Sequence, residues 1–138
     1  MELRDMIKTL KLDSPRRVLV VEDNLDAAVT IVEFLSDAGH SVTTLLGIDT
    51  IRAGHAEGTD LSGERIEVSL HDFEVALLDH YILSRTFTGA TLIAPLRAAG
   101  VQHILAMSSV DEANNKMKAL GATIGIKKSQ FLRMIAMR

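Results

Sequence analysis

The sequence predicts an α/β domain built on a doubly wound, five-stranded parallel sheet. Two observations support this prediction. Short uninterrupted apolar runs alternate along the chain with stretches of helical periodicity, and acidic or polar residues directly follow most of the runs. An uninterrupted apolar run is typical of a strand buried on both faces, as in parallel sheets. Strands that alternate with helices favour right-handed crossovers, which place helices on both faces of the sheet.

The N-terminal half of the chain predicts two of these strands. Residues 18–21 form a continuous run of valine and leucine. Asn24 or Asp26 can cap the helix that follows, and Gly39 ends it. A weaker strand is predicted at residues 41–46.

Residues 47–72 do not give a single prediction, because they carry four glycines and many charged residues. A short helix over residues 50–55 and a strand or hairpin arm over residues 65–70 both fit this stretch, and the sequence does not decide between them.

The alternation returns in the C-terminal half of the chain. Strands are predicted at residues 75–78, 103–107 and 123–126, each followed by a helix, at residues 90–99, 111–120 and 130–137. The domain is thus expected to span residues 16–138. Residues 1–15 form an N-terminal extension, for which an additional helix over residues 1–12 is one option.

The composition excludes several classes of protein. A chain of 138 residues fits one domain of roughly 100–200 residues. A net charge of −3 gives no basic excess, so nucleic acid is not an expected partner. No apolar run reaches about 18 residues, so a membrane is not expected either. The absence of cysteine excludes disulfides and thiolate metal sites, and it fits a reducing, cytoplasmic location.

Polar residues follow four of the five predicted strands. They are Glu22 and Asp23 after the first strand, Asp79 after the third, Ser108 after the fourth and Lys127 after the fifth. In doubly wound sheets the ligand site lies outside the carboxyl ends of the strands. We therefore expect three carboxylates, one hydroxyl and one ammonium group to converge at one edge of the sheet.

The chemistry of that cluster points to phosphoryl transfer. Neighbouring carboxylates repel one another at low effective dielectric, so a cation or bound protons must accompany them. Oxygen ligands without cysteine suit Mg²⁺, with Mn²⁺ as an alternative. A metal with an open face can neutralise phosphoryl oxygens, and Lys127 and Ser108 are placed to hold the others. Asp79 is then the candidate nucleophile.

Structural alternatives remain for each of these residues. The acidic pair after the first strand could simply favour the start of a helix, and Asp79 could terminate its strand as a cap. Ser109 competes with Ser108 as the phosphoryl contact. Lys128 competes with Lys127, and strand alternation favours Lys127.

Four segments, taken in order, resemble the receiver domain of two-component response regulators. They are residues 18–24, 75–79 and 104–109, and residues 119–122 leading to 126–127. The resemblance runs from about Arg16 to Arg138 and implies a flavodoxin-like fold with strand order 2-1-3-4-5. It also implies that Asp79 is the phosphoacceptor and that Asp23 binds Mg²⁺ directly. Glu22 would bind the metal directly or through water, and the backbone carbonyl of Tyr81 would complete the protein ligands.

The resemblance further implies that Ser108 hydrogen-bonds the phosphoryl group and that Lys127 pairs with it. The donor would be a histidine kinase or a histidine phosphotransfer protein. The domain would catalyse only its own phosphorylation and dephosphorylation. As a single-domain response regulator it would signal through contacts with a downstream protein target. The resemblance does not decide whether the domain forms a homodimer.

The sequence departs from the family pattern at several positions. Ile82 and Leu83 stand where a Met-Pro pair is usual, and Gly89 comes late in the loop. Lys128 takes the place of a proline, and Ile124 aligns with the aromatic switch residue. The missing proline and aromatic switch favour an alternative function, a degenerate receiver that acts as an adaptor without phosphorylation, whereas the retained acidic residues and lysine oppose it.

Overall fold

The structure, a computed structural model, describes all 138 residues. The chain contains eight strands and five α-helices. The strands are β1 (Arg17–Val21), β2 (Ser41–Leu45), β3 (Gly47–Arg52), β4 (His55–Thr59), β5 (Arg65–Ser69), β6 (Val75–Leu78), β7 (His103–Ala106) and β8 (Ile124–Gly125). The helices are α1 (Leu3–Thr9), α2 (Leu25–Asp37), α3 (Gly89–Ala98), α4 (Asp111–Ala119) and α5 (Lys128–Ala136). None of these helices is both long enough and apolar enough to cross a membrane.

Five of the strands form one parallel sheet in the order β2-β1-β6-β7-β8. Because β3, β4 and β5 belong to a separate sheet, this order is the predicted 2-1-3-4-5 arrangement, and the predicted fold class is confirmed. Val18 through Val21 are all fully buried. The apolar run in β1 therefore arises because both faces of the strand are covered.

The two faces of the parallel sheet have separate hydrophobic cores. One face packs against α1, α2 and α5, in a cluster that includes Val18, Val20, Met6, Phe34 and Phe131. The other face packs against α3, α4 and the small sheet, in a cluster that includes Leu19, Val21, Ile48, Ile93 and Met117. Successive residues of β1 thus alternate between the two cores, as strand geometry requires.

Residues 47–69 form a three-stranded antiparallel sheet in the order β3-β4-β5. Of the two options for this stretch, the strand at 65–70 is confirmed and the helix at 50–55 is wrong. Ala53 and Gly54 have φ angles of 50° and 79°, which turn the chain back into β4 before a helix can form. The connection between the second and third parallel strands therefore has no α-helix, only a 3-10 helix at Leu70–Asp72, and the small sheet covers that face.

The N-terminal residues pack onto the domain. Met6 is 2 % exposed in α1, and Leu10, just after the helix, is fully buried. Both belong to the core that α2 and α5 also share. The N-terminal helix is thus part of the hydrophobic core of the domain.

Candidate functional site

The three acidic residues meet at the carboxyl edge of the parallel sheet. Val21 of β1 pairs with Leu78 of β6, so the residues that follow these two strands are neighbours. One carboxylate oxygen from each of Glu22, Asp23 and Asp79 lies within 4.8 Å of the others. The expected convergence of the three carboxylates is what the structure shows.

The three carboxylates differ in their exposure to solvent. Glu22 is fully buried and Asp79 is 3 % exposed, whereas Asp23 is exposed. Burial raises the pKa of Glu22 to about 7, and the nearby Asp79 charge adds to this, although a hydrogen bond from Lys128 opposes it. Glu22 is therefore a carboxyl group that changes its charge near neutral pH.

The cation in this cluster is Lys128. Its Nζ lies 2.7 Å from Oδ2 of Asp79 and 2.8 Å from Oε1 of Glu22. Burial tends to lower the pKa of Lys128, but hydrogen bonds to Asp79 and Glu22 outweigh it, so the pKa is raised and the ammonium stays charged.

The prediction that Lys127 faces the acidic residues is wrong. Its Nζ lies 3.5 Å from Oδ2 of Asp111, and the side chain is about half exposed. The error has a physical cause: β8 ends at Gly125 and α5 begins at Lys128, so strand alternation does not extend to residue 127. Lys127 is the residue before the first turn of α5, and Lys128 is the first residue of the helix.

This correction shifts the resemblance to the receiver family by one residue. The resemblance would then place Ser129, not Lys128, after the site lysine, and Gly125, not Ile124, at the position of the aromatic switch residue. A Cβ atom at Gly125 would lie 3.1 Å from Cδ of Lys118. It would also lie 3.3 Å from Cβ of Asn114, so the space beside this strand is already filled by two side chains of α4.

Ser108 lies at the end of β7 and is fully buried. Its Oγ accepts a hydrogen bond from Val110 N at 3.2 Å, and its backbone N–H donates to Oδ1 of Asn114 at 2.7 Å. The competing Ser109 is exposed. Sequence reasoning missed Asn114, because an asparagine in a polar helix, here followed by a second one, gives no pattern.

The loop after β6 contacts the phosphoacceptor candidate closely. Asp79 Oδ1 accepts a hydrogen bond from His80 N at 2.8 Å, and Gly89 N donates to His80 O at 2.8 Å. A Cβ atom at Gly89 would overlap the backbone oxygen of Asp79. The late glycine therefore allows the loop to close over the acceptor. Tyr81 is 57 % exposed, and its carbonyl as a metal ligand stays a prediction.

The donor set fits a hard divalent cation. Glu22 Oε1 is buried without a hydrogen-bond partner, because its contact with Lys128 lacks hydrogen-bond geometry. An orphaned buried acceptor beside two further carboxylates is a favourable place for a cation. Asp23 is exposed, so an ion can reach the cluster from solvent.

Comparison with known proteins supports the fold independently. No family model and no curated protein matches the chain. Among solved structures, the chemotaxis protein CheY4 of Vibrio cholerae is 21 % identical with a TM-score of 0.57, covering 90 % of this chain and 98 % of that one. The BeF3-activated DrrB receiver domain is 16 % identical with a TM-score of 0.59, covering 91 % of this chain and all of that one.

NtrX from Brucella abortus is 22 % identical with a TM-score of 0.62, and the match covers 91 % of this chain but 27 % of NtrX. The chain thus corresponds to about a quarter of that protein. These likenesses establish the fold: the chain has the fold of CheY-like receiver domains of response regulators. The predicted resemblance is confirmed.

Proposed function

We propose that this domain is a phosphorylation-controlled signalling domain in which Asp79 accepts a phosphoryl group, with Mg²⁺ bound at Glu22 and Asp23. The observation that carries the proposal is the position of Asp79. It is nearly buried at the carboxyl edge of a receiver fold, and the Lys128 ammonium contacts both its carboxylate and that of the buried Glu22.

The two oxygens of Asp79 have different partners. Oδ1 accepts the His80 N–H, whereas Oδ2 lies 2.7 Å from Lys128 Nζ. In the transfer, a carboxylate oxygen of Asp79 forms a new bond to phosphorus while the bond from phosphorus to the donor nitrogen breaks. The electron pair of that bond leaves with the donor imidazole. Lys128 then pairs with the negative oxygens of the acyl phosphate.

Bound Mg²⁺ would supply charge neutralisation for the phosphoryl oxygens. The protein residues that would hold it are Glu22, Asp23 and Asp79, with the Tyr81 carbonyl as a further ligand. The proposed donor is a histidine kinase or a histidine phosphotransfer protein in the cytoplasm. The proposed output is a contact with a downstream protein, with a homodimer as one form of it.

Acetyl phosphate with Mg²⁺ tests the proposal without knowledge of the natural donor. Intact-protein mass spectrometry should show one added phosphoryl group on the wild type and none on Asp79→Asn. Lys128→Ala should slow the addition at least about tenfold, since it removes a charged contact to the phosphoryl group. Lys127→Ala is the matched control and should react like the wild type.

A second candidate function is an adaptor that signals without phosphate. Gly125 and Ser129, at the positions of the aromatic switch residue and the proline, favour it. Wild-type protein that gains no mass with acetyl phosphate, and whose stability does not respond to Mg²⁺, would support the adaptor and exclude the phosphoacceptor.

A further inference from the structure

The side chain of Asn114 links two segments at the candidate site. Asn114 is 5 % exposed and lies in the first half of α4. Its Nδ2 donates to Ser108 O and to Ile126 O, both at 3.0 Å, and its Oδ1 accepts Ser108 N at 2.7 Å. Both Nδ2 hydrogens and the amide oxygen are therefore used by backbone groups.

These hydrogen bonds join Ser108 to Ile126, two residues before Lys128. Ser108 O also accepts the backbone N–H of Lys128 at 3.1 Å. Ser108, Asn114 and Lys128 thus form one hydrogen-bonded network at the ends of β7 and β8. The other groups at the site, Glu22 and Asp79, follow β1 and β6 and make no hydrogen bond to Asn114.

Regular strand pairing does little to hold the end of β8. This strand pairs with β7 at two positions, Ile124 and Gly125, and two backbone bonds flank them, from Thr123 N to Ile104 O at 2.8 Å and from Ile126 N to Ala106 O at 2.9 Å. The only side-chain hydrogen bond to the Ile126 carbonyl comes from Asn114. Lys128 follows two residues later, so its position depends on this short segment.

We propose that Asn114 is a positioning residue for phosphoryl transfer: it holds Ser108 and Lys128 at a fixed separation, so that both contact the same phosphoryl group. The inference rests on the proposed function. Asn114 contacts only backbone groups of these segments, so it acts through them and not on the phosphoryl group itself.

Asn114→Asp tests this inference with little change of shape. The aspartate keeps an oxygen for Ser108 N but turns the two donors into acceptors that face two carbonyl oxygens. Asn115→Asp is the matched control, because Asn115 is exposed, next in sequence and in the same helix. Asn114→Ala is a second variant that removes the network without adding charge.

The readouts separate positioning from folding. The rate constant for phosphorylation by acetyl phosphate at saturating Mg²⁺ should fall about tenfold or more in both Asn114 variants. The Mg²⁺ dissociation constant should stay within about twofold of wild type, because the metal ligands follow other strands. When Ser108→Ala is already present, adding Asn114→Ala should reduce the phosphorylation rate much less than Asn114→Ala does in the wild type.

Three outcomes overturn the inference. The first is that the Asn114 variants are phosphorylated at the wild-type rate. The second is that their Mg²⁺ affinity falls by the same factor as their phosphorylation rate. If the wild type and Asn115→Asp react normally in these cases, the proposed function survives. Wild type that takes no phosphoryl group overturns both.

A different contact carries a second inference. Leu83, in the loop after β6, donates its backbone N–H to Leu46 O at 3.3 Å. A Cβ atom at Gly47 would overlap Leu83 O, so the loop backbone lies directly on the start of β3. Leu46 N in turn donates to Thr59 O of β4 at 2.7 Å. The loop that begins at Asp79 is thus joined to the small sheet by continuous backbone contacts.

We infer that phosphorylation of Asp79 is transmitted to the three-stranded sheet through Leu83. This inference also rests on the proposed function. No side chain at Gly125 can swing to report the state of the site, whereas the Leu83 contact is only four residues from the acceptor. If the loop after Asp79 shifts, either the hydrogen bond from Leu83 N to Leu46 O changes or Leu46 moves with the loop.

Amide NMR tests this route. Acetyl phosphate with Mg²⁺ should shift the backbone amide signals of Leu46 and Thr59 in the wild type. Leu83→Pro removes the donor N–H at an exposed position, and we expect it to be phosphorylated but to lose these shifts. Leu83→Ala keeps the N–H and should retain them. Phosphorylated wild type with unmoved Leu46 and Thr59 signals overturns the inference and leaves the proposed function intact.

Discussion

Glu22→Gln removes a buried charge with little change of shape, and we expect its effect on stability to depend strongly on pH. In the metal-free protein, burial raises the pKa of Glu22 from 4.5 to about 7. Between these values the folded protein holds a proton that the unfolded chain has released. The free energy of unfolding of the wild type therefore falls as the pH rises through this window.

The magnitude follows from the interval between the two pKa values. Each pH unit in the window corresponds to about 1.4 kcal/mol. From pH 4.5 to pH 8, ionisation of Glu22 should thus lower the free energy of unfolding of the wild type by about 3 kcal/mol, and this loss is complete above pH 7. Glu22→Gln has no ionisable group at this position and should not show this loss.

Urea unfolding in the presence of a metal chelator, at pH 5 and at pH 8, measures the effect. The stability of Glu22→Gln relative to wild type should increase between the two pH values by roughly 2 to 3 kcal/mol. Glu33→Gln, an exposed substitution in α2, is the control and should show no such change. A difference between Glu22→Gln and wild type that is equal at pH 5 and pH 8 would refute the reasoning.

Four further predictions test other parts of the structure. Mg²⁺ should raise the urea midpoint of the wild type but have little effect on Asp23→Asn. Gly89→Ala should lower the free energy of unfolding by about 2 kcal/mol, since its Cβ would overlap backbone, whereas Gly125→Ala should cost only about 1 kcal/mol, because its Cβ would meet the flexible Lys118 stem at 3.1 Å and Cβ of Asn114 at 3.3 Å without overlapping backbone. Met6→Ala should cost about 3 kcal/mol in urea unfolding, because it leaves a cavity beneath α1. Burial lowers the pKa of His40, so the wild type should lose stability as the pH falls below 6.5 and His40→Asn should lose less, by the same urea assay.

The parallel sheet could be predicted from sequence because its strands are buried on both faces. Residues 18–21 and 75–78 are continuous apolar runs, a pattern that few other structures require. The small sheet could not be predicted in this way. The two inward residues of β4 are Ala56 and Gly58, and the residues around them are polar, so the strand gives almost no apolar signal. Its stability comes from pairing with β3 and β5, which local sequence does not reveal.

The acidic part of the site was also predictable, because strand ends determine where Glu22, Asp23 and Asp79 lie. The lysine was not. Strand alternation predicts that Lys127 faces the cluster. The chain instead turns after Gly125 from a two-residue strand into α5, and this change of backbone places Lys128 in the cluster. Asn114 could not be found either, because its role depends on hydrogen bonds between segments far apart in sequence.

The ammonium of Lys128 already occupies part of the space between Glu22 and Asp79. An incoming ion must therefore displace or repel a resident positive charge, and a monovalent ion such as Na⁺ would only exchange one unit of charge for another. An ion with two positive charges gains more from the carboxylates than it loses to the lysine. The resident lysine thus makes the cluster discriminate by valence, so cellular K⁺ and Na⁺ should compete poorly there.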